Sequence, residues 1–210
     1  MPAITPPHNQ LVVGSMNPDK AAEIRAMLGA SGLPMEVVSL ADCNVTSDVD
    51  ETGTTFEANA ILKATQYAAA TGRLTMADDS GLCVDALDGE PGVYSARWAG
   101  PGCNYADNNR KLLAALDGKP LAERGAHFIC TIACALPDRI AFTVVGRVDG
   151  VIATAPRGDR GFGYDPLFIW EPLDRTFAEM SPEQKNGISH RALALRAFRE
   201  RLAVWLQTGE

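Results

Sequence analysis

The residues best able to do chemistry lie in five short stretches. In "LTMADDSGLCVDAL", residues 74–87, Asp78 and Asp79 stand side by side after an apolar run. The pattern predicts a strand that stops at the two aspartates, turns at Ser80-Gly81 and resumes as "LCVDAL". Adjacent carboxylates raise each other's pKa unless positive charge compensates them; a lysine, an arginine or a metal ion could do so. At the C-terminal end of a strand, where α/β folds place active sites, one carboxylate can serve a divalent cation and the other a water. An Asx-turn that merely ends the strand is the structural alternative.

Four further stretches supply complementary groups. "GSMNPDK" reads as a strand end, a polar turn and a helix start with Lys20 in its first turn. Free N–H groups at a helix start plus a lysine can hold phosphate, although the GxxxxGK[ST] spacing of a Walker A loop is absent. In "DETGTTFEANAILKA", Asn59 and Lys63 share one helical face at i,i+4. Lys63 can there meet an anion or simply snorkel to solvent. Glu51, in the loop before this helix, is an oxygen donor that could reach a metal.

"PRGDRGFGYDP" sets Phe162 and Tyr164 among glycines, so backbone and rings can approach a ligand closely, or the rings can pack into a core. "EQKNGISHRALAL" puts Lys185, His190 and Arg191 at a helix entrance, where cationic donors suit an anion or a carbonyl oxygen. Taken together, lysines, arginines, paired aspartates, a glutamate and aromatics are the inventory for a nucleoside triphosphate with a divalent metal.

The elements that must position these groups follow from periodicity. "QLVVGS" and "MEVVSL" read as short strands, with a helix from Asn17 between them that Gly29 or Gly32 can end. Residues 41–53 form a polar, acidic loop, and "TTFEANAILKATQYAAATG" is a helix with Thr54 and Glu57 fitting a capping box. Residues 88–104 read as loop and "YADNNRKLLAALDG" as a third helix. "AHFICTIACALP" and "RIAFTVVGRVDGVIA" form an antiparallel hairpin. A last helix carries Leu195, Phe198, Leu202 and Trp205 at helical spacing, with Ser189 as its cap. The class is mixed α/β.

Bulk properties narrow the function. The net charge of -7 over 210 residues argues against a broad surface for nucleic acid, which needs a basic stripe. No apolar run approaches the roughly 20 residues of a membrane span, and the N-terminus lacks the features of a secretory signal. Five cysteines form no CxxC pair, and with only three histidines a zinc site is not expected. Free thiols in a reducing cytoplasm are the expectation.

The order of these motifs resembles the inosine triphosphate pyrophosphatase (Ham1-like) family, whose members remove non-standard purine nucleotides from the nucleotide pool. The likeness runs from about Leu11 to Leu206 and rests on "SMNPDK", "ETGTTFEANAILKA", "ADDSGLCVDALDGEPGVYSARWAG", "GFGYDPLF" and "KNGISHR". It implies an elongated α/β molecule with a mixed sheet, two lobes in a single domain around a central nucleotide-binding cleft, as a homodimer. Residues 10–210 would form that domain after a disordered lead-in of residues 1–9.

By the same resemblance, Ser15, Met16, Asn17, Pro18, Asp19 and Lys20 would hold the triphosphate, and Lys63 would neutralise it. Glu51 and Asp79 would hold Mg²⁺ with Asp78 beside them, Asp79 also accepting the proton, and Ser80 would contact substrate. Phe162, Gly163, Tyr164, Asp165, Lys185, His190 and Arg191 would form the base pocket. The reaction implied converts ITP, dITP or XTP to the monophosphate and pyrophosphate. Two departures, Ala58 for a frequent Glu and Met16 for a frequent Gly, remove no catalytic group. A Maf-type pyrophosphatase is opposed by "SHR" and "GFGYDP"; a nucleotide sensor that does not hydrolyse could dispense with the acidic set retained here.

Overall fold

The computed structural model describes residues 9–29 and 35–209. The expected lead-in, apart from Asn9, and Gly32 as a helix stop lie outside the described residues. The strands are β1 (Gln10–Val13), β2 (Glu36–Ser39), β3 (Leu74–Val84), β4 (Gly125–Leu136), β5 (Arg139–Ile152), β6 (Phe168–Trp170) and β7 (Arg175–Thr176). The helices are α1 (Pro18–Gly29), α2 (Phe56–Thr71), α3 (Tyr105–Ala115), α4 (Pro182–Ile188) and α5 (His190–Thr208).

The strands form one mixed sheet in the order β2-β1-β3-β4-β5-β6-β7. β1 runs parallel to both neighbours, with Leu11 opposite Val37 on one side and Leu74 on the other. Antiparallel pairing joins β6 to β5 and to β7. The α/β class expected from the sequence is therefore observed, with parallel strands early and the hairpin β4–β5 in the middle.

By contacts the chain divides into two compact units. One comprises Met1–Asp79, Cys130–Gly146 and Leu193–Glu210; the other comprises Ser80–Ile129 and Arg147–Ala192. In the first, Leu195, Phe198, Leu202 and Trp205 of α5 bury against Leu11, Val13, Met76, Ile132 and Phe142. A separate cluster sets Ala60, Ala64 and Ala68 of α2 against Ala77, Ala133 and Ala135 of the sheet. Small side chains on both sides let the helix backbone lie close to the strands. That closeness matters because Asn59 and Lys63 occupy the adjoining stripe of the same helix. In the second unit Leu82, Val84, Leu112, Phe128, Phe168 and Phe177 form the core.

Three local expectations are corrected. β3 does not stop at Ala77: it continues through Asp78, Asp79, Ser80 and Gly81 to Val84. Consecutive side chains of a strand leave on opposite faces, so the two carboxylates can find different partners and no turn is needed to separate them. The cap of α2 is Thr55, whose side chain accepts from Ala58 N–H, not Thr54; Glu57 accepts instead from Thr143 Oγ1. The Gly/Pro-rich stretch after Asp88 contains a 3₁₀ turn at Gly92–Arg97. Elsewhere the end signals hold: Asn17 Oδ1 accepts from the Asp19 and Lys20 N–H groups, and Ser189 Oγ from Ala192 N–H.

Gly14, where β1 gives way to the turn before α1, is seated tightly. Its N–H donates to Met76 O at 2.7 Å. A Cβ there would lie 2.9 Å from Tyr67 Cδ2 and 3.0 Å from Met76 O. Gly14→Ala is therefore expected to destabilise by about 1–3 kcal/mol through overpacking. Urea unfolding should show a lower midpoint with an unchanged slope; a wild-type midpoint would mean the turn relaxes without cost.

Candidate active site

In the first unit, five charged groups gather around the middle of β3. Lys63 is only 7% exposed, and its Nζ donates to Glu51 Oε1 at 2.6 Å and to Asp79 Oδ1 at 3.3 Å. The snorkelling alternative thus gives way to a buried ion pair. Asp79, 4% exposed, also accepts from Asn59 Nδ2 at 3.2 Å through its other oxygen. Asp78 takes a different cation: its Oδ2 lies 3.5 Å from Lys20 Nζ and accepts from the Cys130 thiol. Each aspartate therefore has its own lysine.

The electrostatics follow from burial. Loss of solvent pushes the Asp79 carboxyl above its usual range; Lys63 and Lys20 pull it back, Glu51 adds to the rise and Asn59 opposes it. For Lys63 burial works against the charge, but Asp79, Asp78 and Glu51 outweigh it and hold the ammonium above its usual pKa. A carboxylate raised in this way is a better proton acceptor near neutral pH than a solvated one.

The turn before α1 is placed as expected, with Ser15, Met16 and Asn17 half-buried and Pro18 and Asp19 exposed at the helix start. Ser15 Oγ donates to Asn17 O. Met16 packs beside the cluster of Val12, Val38, Leu40 and Tyr67. Lys20 follows one turn in.

The second unit holds the other expected residues. Asp165 Oδ2 accepts from Lys185 Nζ at 2.6 Å and from the Phe162 N–H at 3.0 Å. The half-buried Phe162 ring has Lys185 Nζ 5.0 Å and Arg191 Cζ 5.7 Å from its centroid. Arg191, 2% exposed, donates from Nη2 to Ser80 Oγ at 3.0 Å. The buried His190 ring stacks on Phe128, with centroids 4.6 Å apart.

Tyr164 is buried, and its hydroxyl donates to Ser95 O. The two aromatics of "GFGYDP" thus divide, one into the core and one beside the cations. Gly161 adopts φ +71°, and a Cβ there would meet Asp165 Oδ2 at 2.0 Å. That glycine makes room for the loop's own carboxylate.

Asp79 is on a strand, and Lys63 and Arg191 are on helices. Among the described residues no cluster of three or more His, Cys, Asp or Glu side chains is arranged as a metal centre. Glu51 and Asp79 nevertheless direct oxygens at one positive group, the Lys63 ammonium. Carboxylate oxygens are the hard donors that a divalent cation such as Mg²⁺ takes, and here they are met by the Lys63 ammonium.

The structure also draws in residues to which sequence reasoning gave no role. Asn59 bonds Asp79. Tyr67, two turns further along α2, donates to Asp48 Oδ1 at 2.9 Å. On α3, Asn109 Nδ2 donates to Gly163 O at 3.0 Å, and the Tyr105 ring lies 5.9 Å from that of Phe162. For Asn59 a signal existed: an amide four residues before Lys63 in an alanine-rich helix. Asp48 and Asn109 carry no such mark.

Known proteins resemble this chain over most of its length. A model of the Ham1 family matches residues 11–201. A dITP/XTP pyrophosphatase of Bacillus licheniformis is 46% identical over 187 residues, 89% of this chain and 94% of that protein. One from Geobacter sulfurreducens is 48% identical over 92% of this chain and 96% of its own. The solved structure of a HAM1 protein from Coxiella burnetii matches with a TM-score of 0.84 at 39% identity, covering 93% of this chain and 98% of that one. A family model over residues 11–201 and identity of this order over nearly the full length leave one assignment: the chain belongs to the Ham1 family.

Proposed function

We propose that this protein hydrolyses non-standard purine nucleoside triphosphates (ITP, dITP and XTP) to the monophosphate and pyrophosphate, clearing them from the nucleotide pool. The observation that carries the reading is the buried Asp79 carboxylate, raised in pKa and flanked by Lys63, Glu51 and Asn59. The names of the relatives, dITP/XTP pyrophosphatase, support the same chemistry.

In the reaction a water oxygen forms a bond to the α-phosphorus and the bond to the β-phosphate bridging oxygen breaks. Asp79 accepts the proton released by that water. Lys20 and Lys63 hold the charge that develops on the departing pyrophosphate. The turn Ser15–Lys20 offers backbone N–H groups and a lysine to the phosphates. Mg²⁺, held by Glu51 and Asp79 with Asp78 beside them, would supply neutralisation of phosphate oxygens and a more acidic water. Positioning and charge compensation do most of the work in such transfers.

Base selection falls to the second group. The Arg191 guanidinium and His190 can donate toward O6 and N7 of a 6-keto purine, in the way Arg reads guanine. Phe162 offers a face for the ring, and Lys185 and Asp165 hold the loop that carries it. Adenine presents an amino donor at that edge and would leave donors unpaired, a mismatch worth orders of magnitude.

Of the described helices, none is long and apolar enough to cross a membrane. Five cysteines without disulfides suit a cytoplasmic place. A homodimer, carried over from the resemblance, is checked by light scattering at twice the monomer mass.

Asp79→Asn should lower kcat by about 10²–10⁴-fold while leaving the circular-dichroism melting curve nearly unchanged; near-wild-type turnover would remove Asp79 from the mechanism. Arg191→Ala should cost about 10–100-fold in kcat/KM for ITP and much less for ATP. Equal losses on both would show that Arg191 does not read the base. The primary test is release of pyrophosphate and orthophosphate from ITP, XTP, dITP, GTP, ATP and dTTP, with Mg²⁺ and with EDTA. Pyrophosphate from the inosine and xanthine nucleotides, abolished by EDTA, is expected. Orthophosphate as first product would move the attack to the γ-phosphorus, and tight ITP binding without release would make the protein a nucleotide sensor.

A further inference from the structure

Asn59 takes no part in the chemistry assigned above, yet it lies one turn into α2 with 0% exposure. A buried amide needs partners of the right polarity on both ends. The Gly53 N–H can only donate, so the Asn59 atom 2.8 Å from it is the oxygen Oδ1. That choice turns Nδ2 toward Asp79, whose Oδ2 accepts at 3.2 Å. Gly53 follows Glu51 by two residues, and Glu51 and Asp79 share the Lys63 ammonium. One amide therefore ties the loop that carries Glu51 to the carboxylate on β3.

The tie is tight. A Cβ at Gly53 would stand 2.6 Å from Asn59 Oδ1 and 2.8 Å from Ala58 Cβ. On the same stripe of α2, Tyr67 holds Asp48 at the other side of Glu51. Asn59, Lys63 and Tyr67, at i, i+4 and i+8, thus grip the acidic loop at Gly53, Glu51 and Asp48.

We propose that Asn59 is a positioning residue that sets the spacing and orientation of the Glu51 and Asp79 oxygens toward a divalent cation. It acts through the two carboxylates, donating to Asp79 and holding the loop that carries Glu51. The inference rests on the roles given to Glu51 and Asp79 under the proposed function. Removal of an outer partner of this kind typically costs about 10–100-fold in metal affinity or activity.

The test uses the full chain, Asn59→Leu and Gly53→Ala, which break the tie from opposite ends. Thr65→Val, on α2 but outside the stripe, is the control. Mn²⁺ binding is followed by electron paramagnetic resonance with α,β-methylene ITP present, and kcat and KM for ITP are measured in parallel. Both variants should bind Mn²⁺ about 10–100-fold more weakly and lose kcat to a similar degree, with KM little changed and Thr65→Val like wild type. Folded variants with wild-type Mn²⁺ affinity would overturn the proposal, as would a loss confined to KM. Failure of both variants to fold would make Asn59 a purely structural residue, which also overturns it. A wild type that binds Mn²⁺ but releases no pyrophosphate breaks the functional reading, while the titration still decides the role of Asn59. A wild type that binds no Mn²⁺ removes both.

Discussion

Asp79 and Lys63 are buried together, and neither could be buried alone. An isolated charge taken out of water costs several kcal/mol at the least. The pair is tolerable because each charge also meets a further polar partner: Lys63 meets Glu51 and Asp79 meets Asn59. That requirement reaches outward into the fold. α2 must lie close to β3, and alanines on both surfaces permit it. The acidic loop must dock along α2, and Lys63, Asn59 and Tyr67 hold it there. Asp78, leaving the strand on the other side, must meet a separate cation, which the first turn of α1 supplies as Lys20.

The second unit repeats the device on a loop. Asp165 accepts at one oxygen from both Lys185 and the Phe162 N–H, so a single carboxylate fixes the lysine and the aromatic beside it. Gly161 leaves space for that oxygen. The result is an aromatic ring edged by two cations. Side chains held in this way lower the ordering cost of binding a ligand.

Much of the fold was legible because it depends on neighbours in sequence. Caps at Asn17 and Ser189 work through hydrogen bonds three residues long, and the apolar spacing on α5 follows from 3.6 residues per turn. The i,i+4 relation of Asn59 and Lys63 is equally local. The misplaced features were those where local signals compete. Asp-Asp-Ser-Gly has turn propensity, yet sheet pairing and buried counter-charges keep β3 extended through it. Thr54, with Glu57 three residues on, reads as the better cap in sequence, yet Thr55 caps α2 and Glu57 bonds Thr143 across the fold.

The sequence by itself determined the chemical inventory, the motif order and the element types, because residue identity and helical or strand period are properties of short stretches. It also carried the family, since five spaced motifs survive without any knowledge of contacts. Only the tertiary structure decided which carboxylate meets which lysine, that Tyr164 belongs to a core while Phe162 faces the cations, and that Asn59 joins Gly53 to Asp79. Those pairings link residues 6 to 69 positions apart. They depend on how close the packed elements come, and no local pattern encodes a distance across a fold.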